Sequence, residues 1–418
     1  MNVTVFILCL FLVELAAEMG IQLKSLIAEG FSLKNILLYF LILVALVRMA
    51  FAGDFNRITK LKGIIIPFVL LILYAAISFL SNYFLGALPP SYSLYTGIAF
   101  VKNELFDVFL FFILYAYFAK SEKNAEWLFR TFFFIIVAGS VITILGTVIQ
   151  PLNFFGFNDE SIRPNGPFGE PNQSGAVFAF FIPVMLSQVF TDKTIPKKLY
   201  YFAGVTIVMI ALLATSSRGG LLAAFFGTGF LFWLLRKQIP ARHFVIIALI
   251  LPFICILAWL ILPSEYKALM IERFGFVGEK QINYYDASAG RTYVWGLGIK
   301  SWLKSPVIGF GWGSFRFLAR HSSHNSYLEI LVGVGLVGLS LYLSILVGYI
   351  RRVVRSLKKQ SKDERVKLCG FLAGFSGLMV AIFFVNLYKP WLFIWAFLGV
   401  SVSYCNILSS NKKQKVAS

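Results

Sequence analysis

Apolar and polar residues alternate along this chain in long blocks rather than at short helical or strand periods. Twelve mostly apolar stretches run at 2–17, 35–52, 63–84, 100–119, 127–149, 174–190, 199–215, 220–235, 244–262, 326–349, 368–386 and 390–408. Most are close to the roughly 20 residues that a helix needs to cross a hydrocarbon core. The fourth is the weakest, with Lys102, Glu104 and Asp107 at its start. The first has the length of a secretory signal, but it lacks a basic start and contains Glu14 and Glu18, which predicts an uncleaved anchor. The pattern predicts an all-α polytopic membrane protein with about 12 transmembrane helices, a single integral membrane domain over 1–418. A large outer loop at 263–325, between helices 9 and 10, is expected to form a short-helical cap over a cleft. Within it, Tyr293, Val294, Leu297, Ile299 and Trp302 are compatible with an amphipathic helix lying in the interface.

Composition excludes a soluble globular protein. Of 418 residues 59% are hydrophobic and only 14% charged, where an ordinary soluble domain has roughly 25% charged residues. The net charge of +19 would raise nucleic-acid binding in a soluble chain, but the positions of the cations give a simpler account. With the N-terminus cytoplasmic, 24 of the 38 Lys and Arg fall on the inner side, and eight of the other 14 lie in the long 263–325 loop. Short loops govern orientation, so both termini are expected inside. Arg351, Arg352, Arg355, Lys358 and Lys359 are expected to meet anionic inner-leaflet lipid. Cys9, Cys255, Cys369 and Cys405 are far apart in apolar stretches, without disulfide or zinc spacing.

Four outer polar segments keep a cation or imidazole that orientation does not explain. They are Arg163 in RPNGPFGEPNQSG, Arg218 in ATSSRGG, Arg291 in SAGRTYVWGLGIKSW, and His321 with His324 in RHSSHNSYLEIL. A lone arginine at a helix end can simply reach to lipid headgroups. Several at one level, beside Gly, Ser or Asn, predict a phosphate clamp, because the guanidinium fork donates paired hydrogen bonds and keeps its charge when partly dry. His324 would stand at the start of the tenth helix, where the dipole disfavours protonation, and a neutral imidazole is what a general base requires. His321 and His324 could hold two metal ligands on one face, but no motif supplies the rest of a zinc set, so no metal is expected. Gly333, Gly335 and Gly338 spell G-x-G-x-x-G inside an apolar span with no strand before it, which fits close helix packing rather than a dinucleotide. Gly309, Gly311 and Gly313 in GFGWGSF predict a flexible outer turn whose amides could line a site.

Together, RPNGPFGEPN at 163–172, TSSRGG at 215–220, the Arg291 segment, GFGWGSF at 309–315 and HNSYLEILVGVGLVG at 324–338 resemble the O-antigen ligase and polymerase family. These are membrane glycosyltransferases of surface polysaccharide and lipopolysaccharide biosynthesis, acting at the outer face of the bacterial inner (cytoplasmic) membrane. The resemblance implies that Arg218 and Arg291 bind a lipid pyrophosphate and that His324 activates the acceptor, the three forming the catalytic set. Arg163, Asn172, His321 and Asn325 are the implied substrate-binding residues. It further implies an undecaprenyl-pyrophosphate-linked oligosaccharide as donor, an inverting displacement without metal or cofactor, membrane lipid as surroundings, and room for a chain-length regulator protein. Nucleic acid is not an expected partner.

Within that resemblance a polymerase, joining one lipid-linked repeat unit to another, is preferred over a ligase that moves a finished glycan to a lipid A core or another acceptor. A transporter or flippase is the third reading. Transporters gather polar groups near the bilayer midplane, whereas here only Glu14 and Arg48 lie well inside apolar runs.

Overall fold

The computed structural model describes residues 3–21, 32–148, 163–164, 166–191, 194–274, 291–358, 360–388 and 390–417. Among them the helices run in order α1 (Val3–Ile21), α2 (Leu33–Ala52), α3 (Phe55–Thr59), α4 (Lys62–Phe84), α5 (Leu94–Val101), a π-helical segment (Lys102–Phe106), α6 (Asp107–Phe118), α7 (Glu122–Val148) and α8 (Pro171–Thr191). They continue as α9 (Ile195–Ala214), α10 (Arg218–Leu235), α11 (Ala241–Ile261), α12 (Ser264–Phe274), α13 (Arg291–Trp302), α14 (Phe315–Ala319), α15 (Ser326–Leu357), α16 (Lys362–Ala381) and α17 (Pro390–Ala417). No strand forms among the described residues; one isolated bridge joins Gly166 and Gly169.

The twelve apolar blocks fall largely on helices, and eight helices among the described residues are long and apolar enough to cross a membrane by length and composition. The protein is therefore an all-α polytopic membrane protein. Helices α8 and α17 form its centre: 83% of each span is buried, against 28% for α2, whose apolar side chains face outward. Helix α16 packs on α8 and α10, α17 on α6, and α15 on α4. Small residues permit the closest approaches, since a Cβ on Gly374 would lie 2.5 Å from the Phe180 carbonyl oxygen. Around α17 the phenylalanines interlock edge to face, with Phe132–Phe393 centroids at 4.9 Å and Phe181–Phe397 at 5.0 Å.

Two charged groups of the bundle have close polar partners, as a low-dielectric surrounding favours. Asp107, fully buried, meets Lys102 Nζ at 3.0 Å and the Tyr39 hydroxyl at 2.9 Å. Arg48 donates to Thr4 Oγ1 at 3.1 Å. Cys9, Cys369 and Cys405 are free and buried. Helices α12, α13 and α14 lie within 263–325, of which 275–290 fall outside the described residues. Val294, Trp295, Leu297 and Trp302 of α13 pack against Phe310, Phe315, Leu328 and Val332.

Two sequence expectations are corrected in α15. The 326–349 span is not an uninterrupted helix, because Gly335 adopts φ 61°, ψ −166° and breaks it. Nor does GFGWGSF stand apart from the span as a free turn, since part of its backbone pairs with α15. Phe310 N donates to Val332 O at 3.1 Å, Gly311 N to Gly333 O at 2.6 Å, and Leu336 N to Pro306 O at 2.9 Å. The 306–311 backbone thus satisfies the groups that the break exposes, which is the condition for irregular chain at membrane depth. A methyl on Gly335 would lie 2.2 Å from the Val307 carbonyl oxygen, at a φ that L residues avoid. Gly335→Ala is therefore expected to lose about 1–3 kcal/mol from backbone strain alone, and more from the clash. A sharp drop in monodisperse yield and melting temperature would show it, with Gly229→Ala as control because open space surrounds that glycine. A Gly335→Ala protein that melts like its parent contradicts the account of the break.

Candidate active site

The first residues of several helices converge at one end of the bundle, and the candidate site is built from them. Ser217 caps α10, its Oγ accepting from Gly220 N at 3.2 Å, so Arg218 stands at the first position of that helix. Arg291 holds the same position in α13. The turn before α10 can lie against α8 because Gly220 and Gly175 meet backbone to backbone; a Cβ on Gly220 would sit 3.0 Å from the Gly175 carbonyl.

Arg218 and Arg291 line one cleft of about 30 Å³ with Asn172, Ser217, Gly219, Gly220, Ala381, Phe384 and Val385. Among the described residues no acid lines it. Arg218 is exposed and makes no ion pair among the described residues. Two guanidinium groups, each set on the positive end of a helix, give this cleft a charge that suits an anion.

Arg163 is tied into the protein beside the cleft. Its Nε and one terminal nitrogen donate to the Thr215 carbonyl at 3.0 and 2.8 Å, and that same nitrogen donates to Asn172 Oδ1 at 3.0 Å. It braces the turn from which Arg218 projects, and it orients the Asn172 amide at the cleft wall. Ser216, in that turn, holds φ 49°.

His324 also holds φ 49°, a left-handed backbone that is uncommon for a residue with a side chain. Asn325 follows it as the cap of α15, accepting from Leu328 N at 3.0 Å, and it is buried. Its side-chain oxygen thus serves the helix rather than facing the cleft. Ser326 pins this start to the 382–385 turn, with its N on Ile382 O at 2.9 Å and its Oγ on Val385 O at 3.0 Å. Since Phe384 and Val385 line the cleft, the pinning sets His324 at its edge. His321 is exposed and does not join the group.

Imidazole Nδ1 of His324 lies 4.0 Å from Glu170 Oε1 and is buried without a hydrogen-bond partner among the described residues. Burial depresses the pKa of His324 below its usual value; Glu170 opposes this, and Arg291 and Arg163 add to it. The imidazole is therefore held neutral at ordinary pH, in the direction expected of a base. Glu170 was not anticipated from sequence. The signal available was a lone acid in GEPN, in a segment otherwise rich in Pro, Gly and Asn.

A second unanticipated cluster lies nearby. Glu104 accepts from Trp312 Nε1 at 3.0 Å and Arg316 at 2.9 Å, while Glu329 accepts from Asn386 Nδ2 at 2.7 Å and the Tyr388 hydroxyl at 3.3 Å. Glu104, Trp312, Glu329, Asn386 and Tyr388 border a mostly aromatic and aliphatic cavity of about 40 Å³. Its acids already have protein partners, which distinguishes it from the arginine cleft. Among the described residues no group of three or more His, Cys, Asp or Glu is placed to hold a metal ion.

Residues 203–343 match the model of a family described as O-antigen ligase. That stretch contains Arg218, Arg291 and His324, and leaves Arg163, Glu170 and Asn172 outside it. One solved structure, described as "Structural coordination of polymerization and crosslinking by a peptidoglycan synthase complex", is similar with a TM-score of 0.40 and 16% identity, over 82% of this chain and 95% of that chain. A likeness that low carries no argument about function. No curated protein matches the chain. Residues 203–343, about a third of the chain, are thus similar to the O-antigen ligase family.

Proposed function

We propose that this protein is a surface-polysaccharide polymerase of the bacterial inner membrane that takes an undecaprenyl-pyrophosphate-linked oligosaccharide as donor. The observation that carries the reading is the shared cleft of Arg218 and Arg291, each at a helix N-terminus, with a neutral imidazole at its edge. His324 takes the proton from an acceptor hydroxyl as that oxygen attacks the anomeric carbon. The bond from that carbon to the pyrophosphate oxygen breaks, its electron pair leaves with the lipid pyrophosphate, and the configuration inverts. Charge grows on the leaving group, so fixed guanidinium groups there stabilise the transition state more than the ground state. The step needs no metal, because the cations are arginines.

Glu170 acts on the Nδ1 side of the imidazole, leaving Nε2 for the acceptor, as a carboxylate does when it fixes a histidine tautomer. Since Glu170 raises the pKa of His324, Glu170→Gln lowers it further. The working form is the neutral imidazole, present above its pKa and lost as pH falls through it. The acidic limb of the kcat/KM profile is thus expected to lie below about pH 6.5, the ordinary histidine value. In Glu170→Gln it moves to lower pH, with a reduced plateau. A limb that stays fixed or moves upward contradicts this role.

The reading places both termini in the cytoplasm and the 263–325 segment over the cleft on the outer side. A chain-length regulator is a natural partner of such a polymerase. A transporter is disfavoured because the one broken span among the described residues, at Gly335, is filled by the protein's own 306–311 backbone. Polymerase and ligase are separated by supplying purified protein in nanodiscs with lipid-linked repeat units alone. A product ladder supports the polymerase. Transfer only after a lipid A core or another acceptor is added means a ligase.

A further inference from the structure

At the other end of the bundle, α4 and α15 enclose a second kind of pocket. The helices touch where a Cβ on Gly348 would lie 2.6 Å from the Gly63 carbonyl oxygen. Around this contact lies a cleft of about 620 Å³, lined among the described residues by the cations Lys60, Lys62, Arg351, Arg352 and Arg355 and by no acid. None of these five makes an ion pair among the described residues. Arg352 Nε is buried with no hydrogen-bond partner among them, although a buried guanidinium nitrogen is costly to leave unsatisfied. The rest of the lining is aliphatic, including Leu61, Ile64, Pro67, Leu343 and Val347.

Orientation alone asks only for cations near this end, spread over its loops. It does not ask for five of them to face one another across an apolar groove between two spans. We propose that this cleft is a binding site for an anionic glycerophospholipid of the surrounding leaflet. The phosphodiester lies among Arg351, Arg352, Arg355, Lys60 and Lys62, where it completes the hydrogen bonding of Arg352, and an acyl chain lies along the aliphatic wall. Arginine forks suit a phosphate, and basic pockets between spans are a setting in which such headgroups are held. The site lies at the opposite end of α15 from His324, so it is independent of the catalytic reading. An occupant there would brace α4 against α15, the helix whose opposite end carries the cap before which His324 stands.

The test is native mass spectrometry of the delipidated full-length protein in a neutral detergent, titrated with phosphatidylglycerol or phosphatidylcholine of matched chains. The wild type is expected to retain one phosphatidylglycerol at least about tenfold more strongly than phosphatidylcholine. The triple variant Arg351→Gln, Arg352→Gln, Arg355→Gln is expected to lose that preference, with phosphatidylglycerol binding weakened by about tenfold to a hundredfold. Lys197→Gln, Lys198→Gln, Lys237→Gln removes as much charge from the same end and should keep it. A wild type without headgroup preference overturns the proposal, as does a folded triple variant that retains it. Displacement by glycerol phosphate at concentrations comparable to the lipid's also overturns it, since the aliphatic wall would then contribute nothing. The wild-type comparisons decide the matter even where the triple variant fails to insert.

Discussion

His324→Ala is expected to lower turnover by about 10²- to 10⁴-fold, the usual worth of a positioned general base, while the protein still inserts, elutes as one species and binds donor. The expectation rests on geometry before pKa. His324 is fixed by Asn325 capping α15 and by Ser326 bonding to the 382–385 turn that lines the arginine cleft. Its left-handed backbone is a local cost that the fold sustains, and such costs concentrate at sites of function. Burial keeps the ring neutral. His321→Ala is the matched control, because His321 is exposed and lies outside this group. Turnover of His324→Ala within a few-fold of the parent would remove the base from the mechanism.

Loss of the Arg218 fork comes next in size. Arg218→Gln removes a donor aimed at the leaving pyrophosphate and is expected to cost about 10²- to 10³-fold in kcat, as for other preorganised transition-state donors. Arg218→Lys should fall between the parent and Arg218→Gln, because an ammonium keeps the charge but cannot donate two parallel bonds. The same ordering is expected at Arg291. Arg163 should behave differently: its guanidinium is spent on Thr215 and Asn172, so Arg163→Lys should act through the position of the Arg218 turn and lower stability as well as rate. Equal donor affinity and turnover in the parent, Arg218→Lys and Arg218→Gln proteins would exclude a pyrophosphate clamp in this cleft.

Much of the helical layout was legible because bilayer-length apolar runs are a strong signal: the blocks fall largely on helices, and eight helices among the described residues are long and apolar enough to span. The interruptions were not legible. Gly335 sits in an uninterrupted apolar run, and its break depends on the 306–311 backbone, which no local period records. The 368–386 block ends at Ala381 in the structure, and the following turn carries Phe384 and Val385 to the cleft; Asn386 and Pro390 were the local hints. Arg218, Arg291 and His324 stood out as residues that orientation could not explain, and the structure gathers them at one end. Glu170 did not stand out, because its meaning lies in a contact with a residue 154 positions away. Asn325 was implied only as a ligand contact, and the structure shows its side chain capping α15.

The central claim is that glycosyl transfer breaks a bond to a lipid pyrophosphate in the Arg218–Arg291 cleft with His324 as base. It is tested most directly by counting undecaprenyl pyrophosphate released per glycosidic bond formed, in nanodiscs supplied with lipid-linked repeat units and, in a second arm, a glycan acceptor. The account predicts one lipid pyrophosphate per new bond in one of the two arms, with release and bond formation lost together in His324→Ala. Glycan crossing the membrane on an intact lipid carrier, with neither arm yielding lipid pyrophosphate, would contradict it.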